Sequence, residues 1–190
     1  VTIIIANYPI KNSRLANGVG LDTPKSAINI IKWLEENNYD LGDEVLPTDG
    51  NSLINLIIKG RTNDPESNHK PPLDYLPLSV YKKWWDSLPR NARKSIVKRW
   101  NEPHLAEDLE TNGFSIHGIR FGNLSILIQP SRSYDPNNKD DLHSPDLPPP
   151  HRYLAQYLWI REVNKSNVLV HLGKHGSLEW LPGKSVGLSS

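Results

Sequence analysis

Val1-Thr-Ile-Ile-Ile-Ala6 is a β-branched run in which Thr2 is the only polar residue. A strand with one wet face alternates apolar and polar residues, so an unbroken run of this kind predicts a strand buried on both faces of a parallel sheet. Working outward, the glycine-bearing loop Asn7 to Asp22 leads into a helix. Thr23 is the expected N-cap, Pro24 the first helical residue, and Ala27, Ile30, Ile31 and Leu34 the apolar stripe. Asp43 to Pro47 is expected to supply a short second strand. Asp49 or Ser52 should start another helix, whose apolar positions Leu53, Ile54, Leu56, Ile57 and Ile58 run up to Gly60.

Arg61 to Pro77 holds Pro65, Pro71, Pro72 and Pro77 among polar residues and reads as a long irregular excursion. From Ser79 the pattern turns helical again, first with Val80, Trp84, Trp85 and Leu88, then, after Pro89, with Ala92, Ile96, Val97 and Trp100; Pro103 ends it. Ile116 to Ile119 and Leu124 to Ile128 read as two strands of a hairpin around Arg120-Phe-Gly-Asn123, and Gln129 to Pro150 as a second proline-rich loop. A helix from Pro150 to Asn164 and a strand Asn167 to Leu172 close the pattern. Helices alternating with apolar strands predict an α/β fold with a mixed or mainly parallel sheet flanked by helices and long Pro-rich loops. The expected division is a strand-loop-helix unit over 1–60, a loop and helical insertion over 61–113, and strands, a helix and a His/Glu motif over 114–190.

The chain's 190 residues, 37% apolar and 23% charged, are enough for a real core. A net charge of +1 gives no electrostatic reason to expect nucleic acid or an acidic membrane surface, and Arg90 to Arg99 reads as the solvated face of a helix. No apolar run approaches the ~20 residues of a membrane span, and the cytoplasm is the default compartment. Cysteine is absent, so a disulfide framework or thiolate site is excluded and any metal must use His, carboxylate or backbone oxygen. Methionine is absent too, and the chain starts inside a strand-like run; an internal piece of a longer protein is the expectation.

Two motifs fail on inspection. Gly183-Lys184-Ser185 looks like the end of a phosphate-binding loop, but the required earlier glycine is Leu178, and Pro182 removes an amide that such a loop would aim at phosphate. Gly18-Val-Gly20 lacks the third glycine of a dinucleotide fingerprint, where Thr23 stands instead. Trp84, Trp85 and Trp100 at helical spacing read as core or interface rather than as a stacking platform, and His69, His104, His117 and His143 stand alone.

The constellation with chemical content is His171, His175 and Glu179, separated by equal steps of four. On a helix the outer two would stand about 12 Å apart, too far to hold one ion, and Gly173 and Gly176 weaken a helix there. The alternative ends a buried strand at His171, turns through Gly173 to Gly176, and sets Glu179 on a short helical turn that Pro182 stops. That gathers the side chains at the carboxyl edge of a sheet, where α/β folds bind ligands. Spacing alone leaves two readings open: a site for a first-row divalent ion, or two histidines that tie down the turn while Glu179 faces solvent.

The stretch Leu169-Val-His-Leu-Gly-Lys-His-Gly-Ser-Leu-Glu-Trp-Leu-Pro-Gly-Lys-Ser-Val-Gly-Leu-Ser189 resembles the signature of the large subunits of the cobaltochelatase and magnesium chelatase family. Further blocks agree in order: Ala6-Asn-Tyr-Pro9, Gly18 to Pro24, Arg120-Phe-Gly-Asn123 with Gln129-Pro130, and Pro149-Pro150-His151. Lys174 and the run Glu179-Trp-Leu-Pro182 are similar to the cobalt type. The resemblance implies a tetrapyrrole-binding subunit of an ATP-dependent complex that inserts Co2+ into a corrin precursor, hydrogenobyrinic acid a,c-diamide, in cobalamin biosynthesis. The alternatives are Mg2+ insertion into protoporphyrin IX, or a non-catalytic scaffold. It further implies that ATP is hydrolysed by an AAA+ ATPase subunit and its companion subunit, not by this chain. Under that resemblance Glu179 and His175 are the catalytic candidates, and His171, His175 and Glu179 the transient metal ligands. Lys174, Lys184, Arg120 and His151 are candidates for contact with the macrocycle.

Overall fold

The structure is a computed structural model that describes residues 1–7, 12, 15–16, 18, 20–133, 144–173, 178 and 181–182. The chain divides into two compact units, one made of Val1–Leu73, His117–Gln129 and Ser166–Gly176, the other of Asp74–Ile116, Pro130–Lys165 and Ser177–Ser190. Among the described residues no helix is long and apolar enough to cross a membrane.

The first unit is built around β1 (Thr2–Ile5), every residue of which is buried. Two helices follow, α1 (Thr23–Glu36) and α2 (Gly50–Lys59). Two strands of this unit, β5 (Gly118–Phe121) and β6 (Leu124–Ile128), form an antiparallel hairpin, and β7 (Leu169–Leu172) completes a sheet of order β5-β6-β1-β7. β1 pairs in parallel with both neighbours, as its unbroken apolar run predicts. Ile3, Ile5, Ile126 and Ile128 pack on one face with Ala27, Ile28 and Ile31 of α1 and Leu53 and Ile57 of α2. Each isoleucine or leucine of this set, fully buried, contributes about 1.5–3 kcal/mol.

Four expectations need correction. The cap of α1 is Asp22, whose carboxylate accepts from Lys25 N at 2.9 Å, so Thr23 is already helical and Pro24 is its second residue. Asp43 to Pro47 forms no strand; Val45 is 91% exposed, and two apolar residues beside two acids leave nothing for a sheet to bury. Ile116 does not belong to the hairpin: it ends β4 (Gly113–Ile116) in the other unit. Finally, β7 is an edge strand with alternating exposure, not a strand buried on both faces.

The second unit holds β2 (Asp74–Leu76), α3 (Leu78–Ser87), α4 (Arg90–Trp100), β3 (Leu109–Glu110), β4 and α5 (His151–Glu162). Its sheet has the order β2-β4-β3, antiparallel throughout. α3, α4 and α5 each start directly after a proline, Pro77, Pro89 or Pro150, with no side-chain cap. Trp85, Trp100 and Trp159 are buried, as core tryptophans should be, and two of them satisfy their indole N–H: Trp100 to Pro148 O at 2.7 Å and Trp159 to Asp74 Oδ2 at 2.8 Å.

Candidate functional site

Because β1, β6 and β7 run parallel, their carboxyl ends meet at one edge of the first unit. Ala6 N donates to Leu172 O at 3.2 Å and Gln129 N to Ile5 O at 2.9 Å, which fixes the three chain exits side by side. A polar network lies there. Asn63 Nδ2 donates to Gln129 O (2.7 Å), Thr62 Oγ1 to Asn12 Oδ1 (2.7 Å), and Asn12 N to Asp64 Oδ2 (3.2 Å). Asn7, which follows β1, keeps a buried Oδ1 that accepts no hydrogen bond among the described residues. Sequence reasoning touched Asn7 only as the start of a loop and as part of the Ala6 to Pro9 block. It missed Thr62, Asn63 and Asp64, which carry no local signal because their stretch is simply polar and proline-bearing.

His171 stands on β7 opposite Ile4, in the row Leu127–Ile4–His171. Val170 and Leu172 pack toward the α1/α2 core, so His171 lies on the other face, where it is exposed. Arg120 on β5 pairs with Ser125, which pairs with Thr2, and its Nε donates to Ser125 Oγ at 3.4 Å. These registers put Arg120 and His171 on the same face at the two opposite edges of the sheet. Three strand spacings and two residues of rise separate them by about 16 Å through the backbone, far beyond joint coordination of one ion.

Leu181 N donates to Leu178 O at 3.1 Å, just ahead of Pro182. Lys174, His175, Glu179 and Lys184 lie outside the described residues. Among the described residues no group of three His, Asp or Glu side chains is placed to hold a metal ion.

His151 occupies a different setting, the core of the second unit. Its ring is fully buried beside Tyr81, Trp85 and Phe114, with centroids 5.1–6.1 Å away. Nε2 lies 3.0 Å from Asn101 O, a pure acceptor, so Nε2 carries the proton; Nδ1 then accepts from Tyr81 Oη at 2.8 Å. Burial lowers the His151 pKa below 6.5, against the opposing pull of the Asn101 hydrogen bond and of Asp108 and Glu102. The imidazole is therefore neutral, with both nitrogens engaged.

A family model described as CobN/Magnesium Chelatase matches residues 1–190. The chain belongs to the CobN/magnesium chelatase family. Within this family it is 40% identical over its whole length to the aerobic cobaltochelatase subunit CobN of Pseudomonas aeruginosa, and covers 15% of that protein. It is 26% identical, again over its whole length, to a magnesium-chelatase subunit of Chlorobaculum parvum, covering 14% of it. The fold superposes on the catalytic subunit of cobaltochelatase from Mycobacterium tuberculosis with a TM-score of 0.79 and 34% identity, over 99% of this chain and 16% of that one. The chain thus spans about 15% of the length of the CobN relative it matches.

Proposed function

We propose that the chain is part of the macrocycle-binding subunit of a cobaltochelatase, and that the carboxyl edge of its parallel sheet borders the place where Co2+ enters a corrin-type ring such as hydrogenobyrinic acid a,c-diamide. The observation that carries the reading is the position of β7. Its parallel pairing with β1 sets His171 near, and brings the chain out after Leu172 at, a sheet edge furnished with polar side chains, which supports a site built from the residues that follow. The choice of cobalt over magnesium rests on identity, 40% to a cobalt-named relative against 26% to a magnesium-named one.

Insertion requires water to be stripped from the ion, two ring N–H protons to be removed, and the macrocycle to be held with its nitrogens toward the metal. Glu179 is the proposed proton acceptor, since a carboxylate made more basic by partial burial takes a proton near neutral pH. His171 and His175 are the proposed transient ligands, because a neutral imidazole binds a borderline divalent ion without the grip of a thiolate. Arg120, Lys174 and Lys184 are proposed to meet carboxylate or amide groups on the macrocycle's rim, Arg120 at the far edge of the same sheet face as His171. ATP hydrolysis is assigned to an AAA+ partner and its companion subunit.

The test uses the full-length subunit that carries this segment, reconstituted with its partner subunits and assayed metal by metal. Glu179→Ala should lower cobalt insertion by 10²-fold or more, the usual contribution of a general base, while macrocycle binding read by absorbance persists. Undiminished cobalt insertion refutes the role of Glu179. Preference for Mg2+ and a porphyrin in the unmodified complex replaces this reading with the magnesium one.

A further inference from the structure

We propose that a groove along α4 is a docking site for an acidic segment of a partner polypeptide carrying one bulky apolar residue. Residues 82–99 hold seven Lys or Arg and a single acid, Asp86, in a chain whose net charge is only +1. Folding does not disperse this charge. Arg90, Arg93, Lys94 and Lys98 line one groove of about 390 Å³, as their spacing of three, four and eight residues along a helix requires. Trp85 and Val97 supply its apolar part. Among the described residues, the one carboxylate that pairs with these four cations is Asp86, 3.7 Å from Arg93. The Nε of Arg93 is buried and has no acceptor among the described residues, so the groove contains a hydrogen-bond donor that the fold leaves unused.

The chemistry of the groove selects its occupant. Arg90 and Lys98 are about 12 Å apart along the helix, so a single phosphate or carboxylate cannot engage the row, whereas an extended chain with several carboxylates can. Nucleic acid fits poorly, because a base needs an exposed aromatic face to stack on and Trp85 is 2% exposed. Glu102, which also lines the groove, would further repel a continuous phosphate backbone. A small apolar surface beside four cations suits a peptide that places one hydrophobic anchor there and its carboxylates around it.

A fluorescently labelled peptide of about 14 residues, alternating Asp and Glu with a central Leu-Phe pair, is titrated by anisotropy against the full-length subunit that carries this segment. Expected are saturable binding, weakening as salt rises from about 50 to about 300 mM, and a loss of about tenfold or more in Arg90→Glu/Lys94→Glu, both exposed positions whose folding is checked by circular dichroism. Replacing Leu-Phe by Ser-Ser should weaken binding several-fold. The proposal is overturned by absence of saturable binding, by an equal loss in Lys25→Glu/Lys32→Glu on α1, or by indifference to the apolar pair. Two alternative occupants also overturn it. One is tighter binding of single-stranded DNA of equal charge; the other is self-association of the chain, seen by sedimentation, that both Arg90→Glu/Lys94→Glu and Asp43→Lys/Glu44→Lys abolish.

Discussion

The buried imidazole of His151 makes the stability of the second unit depend on pH in a direction the structure dictates. Its folded pKa lies below the unfolded value of 6.5, so between the two values the unfolded chain binds the extra proton. Stability is therefore complete above about pH 6.5, declines as pH falls toward the folded pKa, and is flat below it; the slope cannot exceed about 1.4 kcal/mol per pH unit for one proton. The cause is geometric as well as dielectric. Protonation would add a second N–H facing Tyr81 Oη, which now donates, and would put a positive charge on the first residue of α5, where the helix dipole disfavours it. Asp108 and Glu102 oppose the effect without reversing it.

His151→Phe separates this from other titrations. The ring volume is roughly kept, but Tyr81 loses its acceptor in the core, so the variant should be about 1–3 kcal/mol less stable at pH 7.5. Urea unfolding followed by tryptophan fluorescence reports on this unit, which contains Trp84, Trp85, Trp100 and Trp159. The gap between parent and variant should shrink as pH drops below 6.5. A gap that stays constant across the window refutes the assignment of the proton to His151. If instead the folded variant loses macrocycle binding in the full-length protein, His151 has a substrate role that its buried position argues against.

Gly122→Ala should destabilise the first unit by about 2 kcal/mol or more, because φ is +49° and a Cβ would stand 2.4 Å from Gly42 N; a drop smaller than ~0.5 kcal/mol in urea would show that the loop shifts freely. Asn101→Gly should stabilise the second unit by about 1 kcal/mol, since φ +65°, ψ −173° is a region that favours glycine, and a lower unfolding midpoint would show that the asparagine side chain contributes more than its strain costs.

How far the fold was legible depends on which physical signal each element carries. β1 and β6 announced themselves because burial on both faces leaves a run that is apolar but for one small hydroxyl residue, Thr2 or Ser125, and α2 because Asp49 and Ser52 form a capping box in which each side chain serves the other's backbone N–H. Asp22-Thr23-Pro24 misled by one residue because both Asp and Thr can cap, and proline is tolerated at the first or the second helical position. Ile116-His117-Gly118-Ile119 looked like one strand since nothing in its hydrophobicity marks a break. Gly118, with φ +153° and an ideal Cβ position only 2.3 Å from Ile126 O, is where a side chain would not fit, and β4 and β5 belong to different sheets on either side of His117. Such a change of sheet is a tertiary fact, invisible to periodicity.

The candidate site shows the same limit from the other direction. Equal steps of four between His171, His175 and Glu179 invite a helix, in which all three share a face. The strand Leu169–Leu172 removes that arrangement, for His171 advances at about 3.3 Å per residue and belongs to a row with Ile4 and Leu127. What places His171 is thus not its distance in sequence from the other two but the register of β7 on β1. That register brings His171 onto the face it shares with Arg120 and sends the chain out past Gly173 at the same edge as Asn7 and Gln129. Arg120, level with Ser125, Thr2 and Leu169, stands near the amino ends of the parallel strands, so it shares a face with His171 but not the carboxyl edge. The sheet, and not the spacing in sequence, therefore decides which of these residues stand near one another.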